Sequence, residues 1–240
     1  MNLVLLHAAD YIETDLVRLT DRRLVHIRDV HRSRVGDTAN VGLLNGEMGQ
    51  GVIESISSEE ITLRVRLDAA APPPLPVTLV MALPRPKMLR RCLSMVAELG
   101  VKELYLVNSV RVEKSFWQTP WLGEEQIRER LLLGLEQARD TLLPRVHIRK
   151  RFKPFVEDEL PGLLEGRLGL LAHPGTETLE SAGINTPVLH PSLLCIGPEG
   201  GFIPYEVDKL EEAGCRPVDF GERIYRVETV LPLLVGRLFV

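Results

Sequence analysis

The chain has 240 residues, enough for one large or two modest domains, with 45% apolar and 26% charged residues, the balance of an ordinary globular protein. A formal net charge of −4 excludes a global field that would draw nucleic acid, so any RNA-binding role must rest on local patches. No run of about eighteen apolar residues is long enough to span a bilayer, the N-terminus lacks the basic and small-residue signature of a signal peptide, and Cys92, Cys195 and Cys215 have no CxxC spacing; the expectation is reduced thiols in a cytoplasmic protein with no membrane association.

The first 70 residues carry mainly β signals. A short helix is expected over 24–31. Asn45-Gly46 marks a turn, and Gly49 and Gly51 mark turns or bulges. Ile61, Leu63, Val65 and Leu67 alternate with Thr62, Arg64, Arg66 and Asp68, which gives a strand one buried and one wet face. A small β-barrel is expected over 1–70. Residues 71–76, APPPLP, are stiff and cannot continue a sheet, so they read as a linker.

From residue 77 onward strands and helices alternate. Strands are expected at 77–81, 104–107, 146–148, Leu168–Ala172, 193–196 and 217–220. A helix over 87–99 places Leu89, Cys92, Leu93, Val96 and Leu99 on one face, with Gly100 as its cap. Glu124–Ala138 carries Ile127, Leu131, Leu135 and Ala138 on one stripe. Pro204 and Gly214 open and close a further helix, and the last helix starts near Thr229 with Pro232 in its early turns. Such alternation predicts an α/β domain over 77–240, with a parallel sheet covered by helices on both faces.

Two glycine-bearing loops follow expected strand ends: Gly197-Pro198-Glu199-Gly200-Gly201, and Phe220-Gly221 leading to Ile224, Tyr225 and Arg226. Neither is a Walker or dinucleotide fingerprint. Glycines there either make tight turns or let the backbone approach a ligand, and two such loops at strand ends point to a small-molecule pocket. Basic residues cluster at Arg28, Arg32 and Arg34, at Lys87, Arg90 and Arg91, at Lys114, and over 149–153; each cluster is either a phosphate-binding patch or a solvated face. Phe116 and Trp117 either stack a base or pack. None of the six histidines sits in a ligand set, so no metal site is expected.

In order along the chain, HIRDVHRSRVGD, LPRPKMLRRCLSMVAELGVKELYLVNSVRVEKSFW, LEQAR, LAHPG, IGPEGGF and FGERIYRVET resemble the 16S ribosomal RNA uridine-N3 methyltransferases, members of the knotted SPOUT superfamily of S-adenosylmethionine-dependent RNA methyltransferases. The resemblance covers nearly the whole chain. It implies a PUA-like β-barrel for RNA binding, a C-terminal domain with a deep trefoil knot, a homodimer, and 16S ribosomal RNA or the small ribosomal subunit as partner. It places the methyl donor against Leu171, Ala172, His173 and Pro174, against Gly197, Pro198, Glu199, Gly200 and Gly201, and against Phe220, Gly221, Ile224, Tyr225 and Arg226. The RNA contacts are expected among the basic residues Arg28, Arg32, Arg34, Lys87, Arg90, Arg91 and Lys114, of which the resemblance repeats Lys87, Arg90 and Arg91. Arg139 and Arg226 become candidates for stabilising the developing base anion. Glu228 becomes a candidate for orienting an arginine or accepting the imide proton, or is simply a carboxylate favoured by the helix dipole.

The chain departs from the family where E-Q-S/C-G-R-N becomes Glu136-Gln137-Ala138-Arg139-Asp140-Thr141 and L-R-T-E-T becomes Tyr225-Arg226-Val227-Glu228-Thr229. A one-residue shift turns a helical side chain by about 100°. Three rivals therefore stand beside the main reading: a knotted methyltransferase with a different RNA target, a non-catalytic RNA-binding or assembly factor on the same fold, and a regulator binding another adenine ligand.

Overall fold

The computed structural model describes residues 2–240, which form two compact units. The first comprises 2–73 together with Leu132–Leu143; the second comprises Pro74–Leu131 and Pro144–Val240.

In the first unit, β1 (Val4–Leu6), β2 (Leu16–Leu19), β3 (Thr38–Leu43), β4 (Met48–Ile56) and β5 (Ile61–Ala69) form one mixed sheet in the order β1-β3-β4-β5-β2. The alternation in β5 acts as expected. Ile61, Leu63 and Val65 enter the core, whereas Arg64 stays on the wet face and pairs with Glu54 at 2.5 Å and Asp15 at 2.6 Å. Gly49 sits at a register shift between β4 and β5, where a Cβ would lie 1.9 Å from the Arg66 carbonyl oxygen, so only glycine fits. The expected helix over 24–31 is a single turn, α1 (Arg22–Val25), running into a π-helical turn, His26–Val30. Its Leu24 and Ile27 join side chains from all five strands in one core.

Leu132–Leu143 packs with this unit through bonds no local pattern foretells. The amides of Asn2 and Leu3 donate to the Glu136 carbonyl, Arg22 donates to both Glu136 carboxylate oxygens at 2.7 and 2.9 Å, and Asn45 donates its amide to the Thr141 carbonyl.

In the second unit, a six-stranded parallel sheet runs β11-β9-β10-β6-β7-β8, built from β6 (Val77–Ala82), β7 (Glu103–Val107), β8 (Arg145–Arg149), β9 (Leu168–Ala172), β10 (Ser192–Ile196) and β11 (Arg216–Val218). Strands β6 and β10 are buried along their whole length, as central parallel strands must be. Helix α2 (Pro86–Glu98) buries Leu89, Cys92, Leu93 and Val96, and Gly100 caps it at φ +77°. It packs on α7 (Val227–Phe239). Between them in sequence come α3 (Glu124–Ala138), α4 (Phe152–Pro154), a π-helical turn over Phe155–Glu159, α5 (Leu160–Leu164) and α6 (Pro204–Glu212). The last strand is shorter than the expected 217–220. Asp219 has already left it, because its carboxylate accepts the amides of Gly175 and Gly221, both at 2.8 Å, and turns the chain. Helix α7 begins at Val227, two residues before the expected start, with Arg226 as its N-cap residue. Among the described residues no helix is long and apolar enough to cross a membrane.

Candidate active site

A cleft of about 350 Å³ opens beyond the carboxyl ends of three adjacent strands. Ala172, His173 and Pro174 continue β9, Gly197 to Gly201 follow β10, and Phe220, Gly221, Ile224 and Tyr225 follow β11. Parallel strands end in the same direction, so segments far apart in sequence converge at one sheet edge. Leu171 is fully buried within β9 and does not line the cleft, which begins at the strand's last residue, Ala172. Arg226 lies exposed at the helix N-cap, outside the lining.

Nine lining residues escaped the sequence reading: Arg111, Phe202, Asp219, Arg223 and five that form an apolar floor. Ile196, Val227, Val230, Leu233 and Leu234 make the floor apolar, and the last four come from one face of α7 at helical spacing. Phe202, also in the lining, is buried behind Gly197.

Side chains hold the loops. Arg111 reaches from the segment after β7 to donate to the Gly200 carbonyl. That segment is itself fixed by Glu206, which is 1% exposed: its carboxylate accepts from the Val110 amide at 2.8 Å, the Ser109 hydroxyl at 3.1 Å and the Ile203 amide at 3.0 Å. Glu199 accepts the Arg85 amide at 3.2 Å, tying the glycine loop to the start of α2. The Arg237 guanidinium donates to the Phe220 carbonyl at 2.7 Å. The arrangement is a rigid glycine-lined cradle with an apolar floor, suited to an adenine ring read by backbone groups.

Asp219 is held below the usual carboxylate range by the Gly221 amide and then the Gly175 amide. A depressed folded value means that the stabilisation is present above the unfolded value of about 4 and is lost as pH falls through the folded one. We expect the acid limb of the stability curve below about pH 4 to flatten in Asp219→Asn, measured by thermal melts across pH 2.5–6. A limb identical to wild type would show that Asp219 does not couple the two loops.

Glu228 sits in the first turn of α7 with its Oε2 buried and unpartnered among the described residues. Among the described residues it makes no ion pair. Its charge, after burial and ahead of Glu199, helps push the Cys92 thiol up to about 12, which leaves that cysteine an inert core residue.

Arg139 lies in the first unit, exposed, just past the end of α3, in a left-handed conformation at φ +56°. It is absent from the cleft lining. Arg28 pairs with Asp29 at 2.6 Å, and Arg32 and Arg34 are exposed in the same unit. Lys87, Arg90 and Arg91 line a second cavity, on α2. Lys114 is exposed at the start of a 3₁₀ turn in which the half-buried Trp117 donates its indole N–H to Asn108 at 2.8 Å. Over 149–153, Arg149 pairs with Glu159 and Lys153 with Glu157, the pattern of a solvated face. Among the described residues no group of three or more His, Cys, Asp or Glu stands close enough to hold a metal ion.

A glycine cradle beyond parallel strand ends defines the second unit as a ligand-binding α/β domain. The chain belongs to the RNA methyltransferase family, whose domain model matches residues 71–238. It is 29% identical over 235 residues to the ribosomal RNA small subunit methyltransferase E of Treponema pallidum, covering 95% of this chain and 87% of that one. To the protein of the same name from Mycobacterium tuberculosis it is 25% identical over 215 residues, with coverages of 88% and 81%. Two solved structures share the fold. A Legionella pneumophila protein in complex with the bound cofactor SAM gives a TM-score of 0.76 at 19% identity, over 98% of this chain and 95% of that one. The ribosomal RNA small subunit methyltransferase E of Neisseria gonorrhoeae, bound to S-adenosyl methionine, gives 0.74 at 18% identity, over 98% and 95%.

Proposed function

We propose that this chain transfers the methyl group of S-adenosylmethionine to N3 of a uridine in 16S ribosomal RNA of the small subunit. The observation that carries the reading is the glycine-lined cleft at the β9, β10 and β11 ends, inside the segment matched by the family model. The relatives named for the small subunit support the substrate, and two structures of this fold hold the same methyl donor.

The residues present fit that group. Gly197 to Gly201 and Phe220 to Tyr225 would hold its adenosyl part over the floor made by Val227, Val230, Leu233 and Leu234. When bound, the sulfonium supplies an activated methyl with a good leaving group, so positioning does most of the remaining work. The uridine imide must lose its proton; Glu228, half-buried with its Oε2 unpartnered, is the candidate acceptor, although it stands outside the cleft lining itself. Arg226 and Arg139 are retained as the cations that steady the base anion, Arg226 from the N-cap next to the cleft.

Residues 1–70 act as a PUA-like β-barrel RNA-binding domain, 71–76 as a linker, and 77–240 as a SPOUT domain with a trefoil knot. The knot is supported by the bond from the Val188 amide to the Leu238 carbonyl, which sets the β9–β10 connection against the far end of α7. The working unit is a homodimer in the cytoplasm, and the RNA contacts are Arg28, Arg32, Arg34, Lys87, Arg90, Arg91 and Lys114.

The altered Glu136–Thr141 segment favours one second reading, a different RNA target: Glu136 is engaged by Arg22, and Arg139 occupies a left-handed position. The test is incubation of the full chain with labelled S-adenosylmethionine and, separately, small subunits and total RNA from a strain lacking the gene, followed by nucleoside mass spectrometry. Label in 3-methyluridine is the expected result. Label in another nucleoside selects the second reading, and no transfer to any RNA overturns both.

A further inference from the structure

Helix α2 is two-faced. Its apolar stripe is buried, and its opposite stripe, at spacings of three and four, reads Lys87, Arg90, Arg91, Ser94 and Glu98. This stripe lines a second cavity, of about 400 Å³, with Met95 and Arg130 of α3. Four cations face one acid. Among the described residues Lys87, Arg90 and Arg91 make no ion pair, and Arg130 meets only its neighbour Glu129, at 3.5 Å.

The two central guanidiniums are held in place. The Arg90 guanidinium lies 4.0 Å from the centre of the Trp121 ring, and that of Arg130 lies 5.7 Å from the same ring. Stacking on an indole fixes the plane of an arginine while leaving its N–H edge free. Ser94 ties the two helices together by donating to the Arg130 carbonyl at 3.1 Å. The Nε atoms of both arginines are buried and without an acceptor. Buried N–H groups without acceptors are rare because each forfeits its hydration, so a pair of them around one polar cavity calls for an acceptor there.

We infer that Arg90, stacked on Trp121, and Arg130, beside the same ring and flanked with it by Lys87 and Arg91, form a binding site for a phosphate group, and that in the working protein this group is a backbone phosphodiester of the RNA substrate. Two planar forks suit a tetrahedral oxyanion better than flexible lysines do. The source of the phosphate rests on the RNA-methyltransferase reading; the phosphate chemistry does not.

The test uses the full chain and protein-free 16S ribosomal RNA, with affinity measured across 50–300 mM salt. Arg90→Gln/Arg130→Gln should weaken binding at least tenfold near 0.1 M salt and lower the slope of log K against log salt by about 0.7–0.9, the share of one phosphate. Arg90→Lys/Arg130→Lys should keep the slope but lose affinity, because charge stays and the forks go. Thermal melts and S-adenosylhomocysteine titration, expected within twofold of wild type, show that the variants are folded. Unchanged RNA affinity and slope in a folded Gln double variant would overturn the RNA assignment. Tryptophan fluorescence with inorganic phosphate then decides the source: a response abolished in the Gln variant assigns the site to free phosphate, and no response overturns the site. Failure of wild type to bind any RNA would instead sink the proposed function, while the phosphate titration still reads the cavity.

Discussion

Replacing Gly197 by valine is expected to weaken S-adenosylhomocysteine binding at least 100-fold, about 2.7 kcal/mol. A Cβ at this position would meet the Phe202 ring at 3.1 Å and the Phe202 backbone nitrogen at 3.2 Å. Phe202 is 5% exposed, so neither ring nor backbone has room to retreat, and the γ methyls of valine push the loop into the cleft. Gly200 is the instructive contrast. A Cβ there meets only Arg111, at Cδ 3.0 Å, the middle of a flexible side chain that can swing away. Gly200→Ala should therefore stay within about tenfold of wild type, roughly 1.4 kcal/mol. Calorimetry on both variants checks the pair. Equal affinity of Gly197→Val and wild type would remove the cleft as the donor site.

Arg23→Ala is expected to cost about 3–5 kcal/mol of stability, the range for removing one partner of a buried ion pair. Arg23 is 5% exposed and serves three segments at once. Its guanidinium donates to the Leu5 carbonyl at 2.6 Å, to Asp10 at 2.6 and 2.8 Å, and to Asp21 at 2.8, 3.0 and 3.1 Å. Burial alone works against its charge, but the hydrogen bonds with Asp10 and Asp21 together raise its pKa. Alanine would strand the Asp10 carboxylate, itself 12% exposed, and free the strand β1 edge from α1. Urea unfolding gives the number, and because the pair is shielded from solvent the loss should persist at 0.5 M salt. A loss below about 1 kcal/mol, the value of an exposed pair, would show that the network is not holding the first unit.

Much of the architecture is legible from local chemistry. The alternation from Ile61 to Val65, the apolar stripe of α2 ending at Gly100, and Pro204 opening α6 each depend on residues a few positions apart, and periodicity is a local signal. The glycine loops could be read for the same reason: a strand followed by Gly-Pro-Glu-Gly-Gly must turn. What could not be read is what meets what. Arg111 and Gly200 are separated by 89 residues, and nothing in either neighbourhood points to the other. Trp121 shows no sign in sequence that it carries Arg90.

The sequence by itself determined the α/β alternation of the second unit, the helical and strand faces and the glycine loops, because these follow from side-chain period and from where a backbone needs glycine. Only the tertiary structure decided that Leu171 faces the core and not the cleft, that four residues of α7 make its floor, that Glu136 is engaged by Arg22, and that Gly197 rather than Gly200 is the glycine without room to change. Each of these is a matter of which distant surfaces come within a few ångströms. That depends on strand order and crossover, and in a parallel sheet neighbouring strands are joined through long connections whose ends carry no mark of their eventual partners.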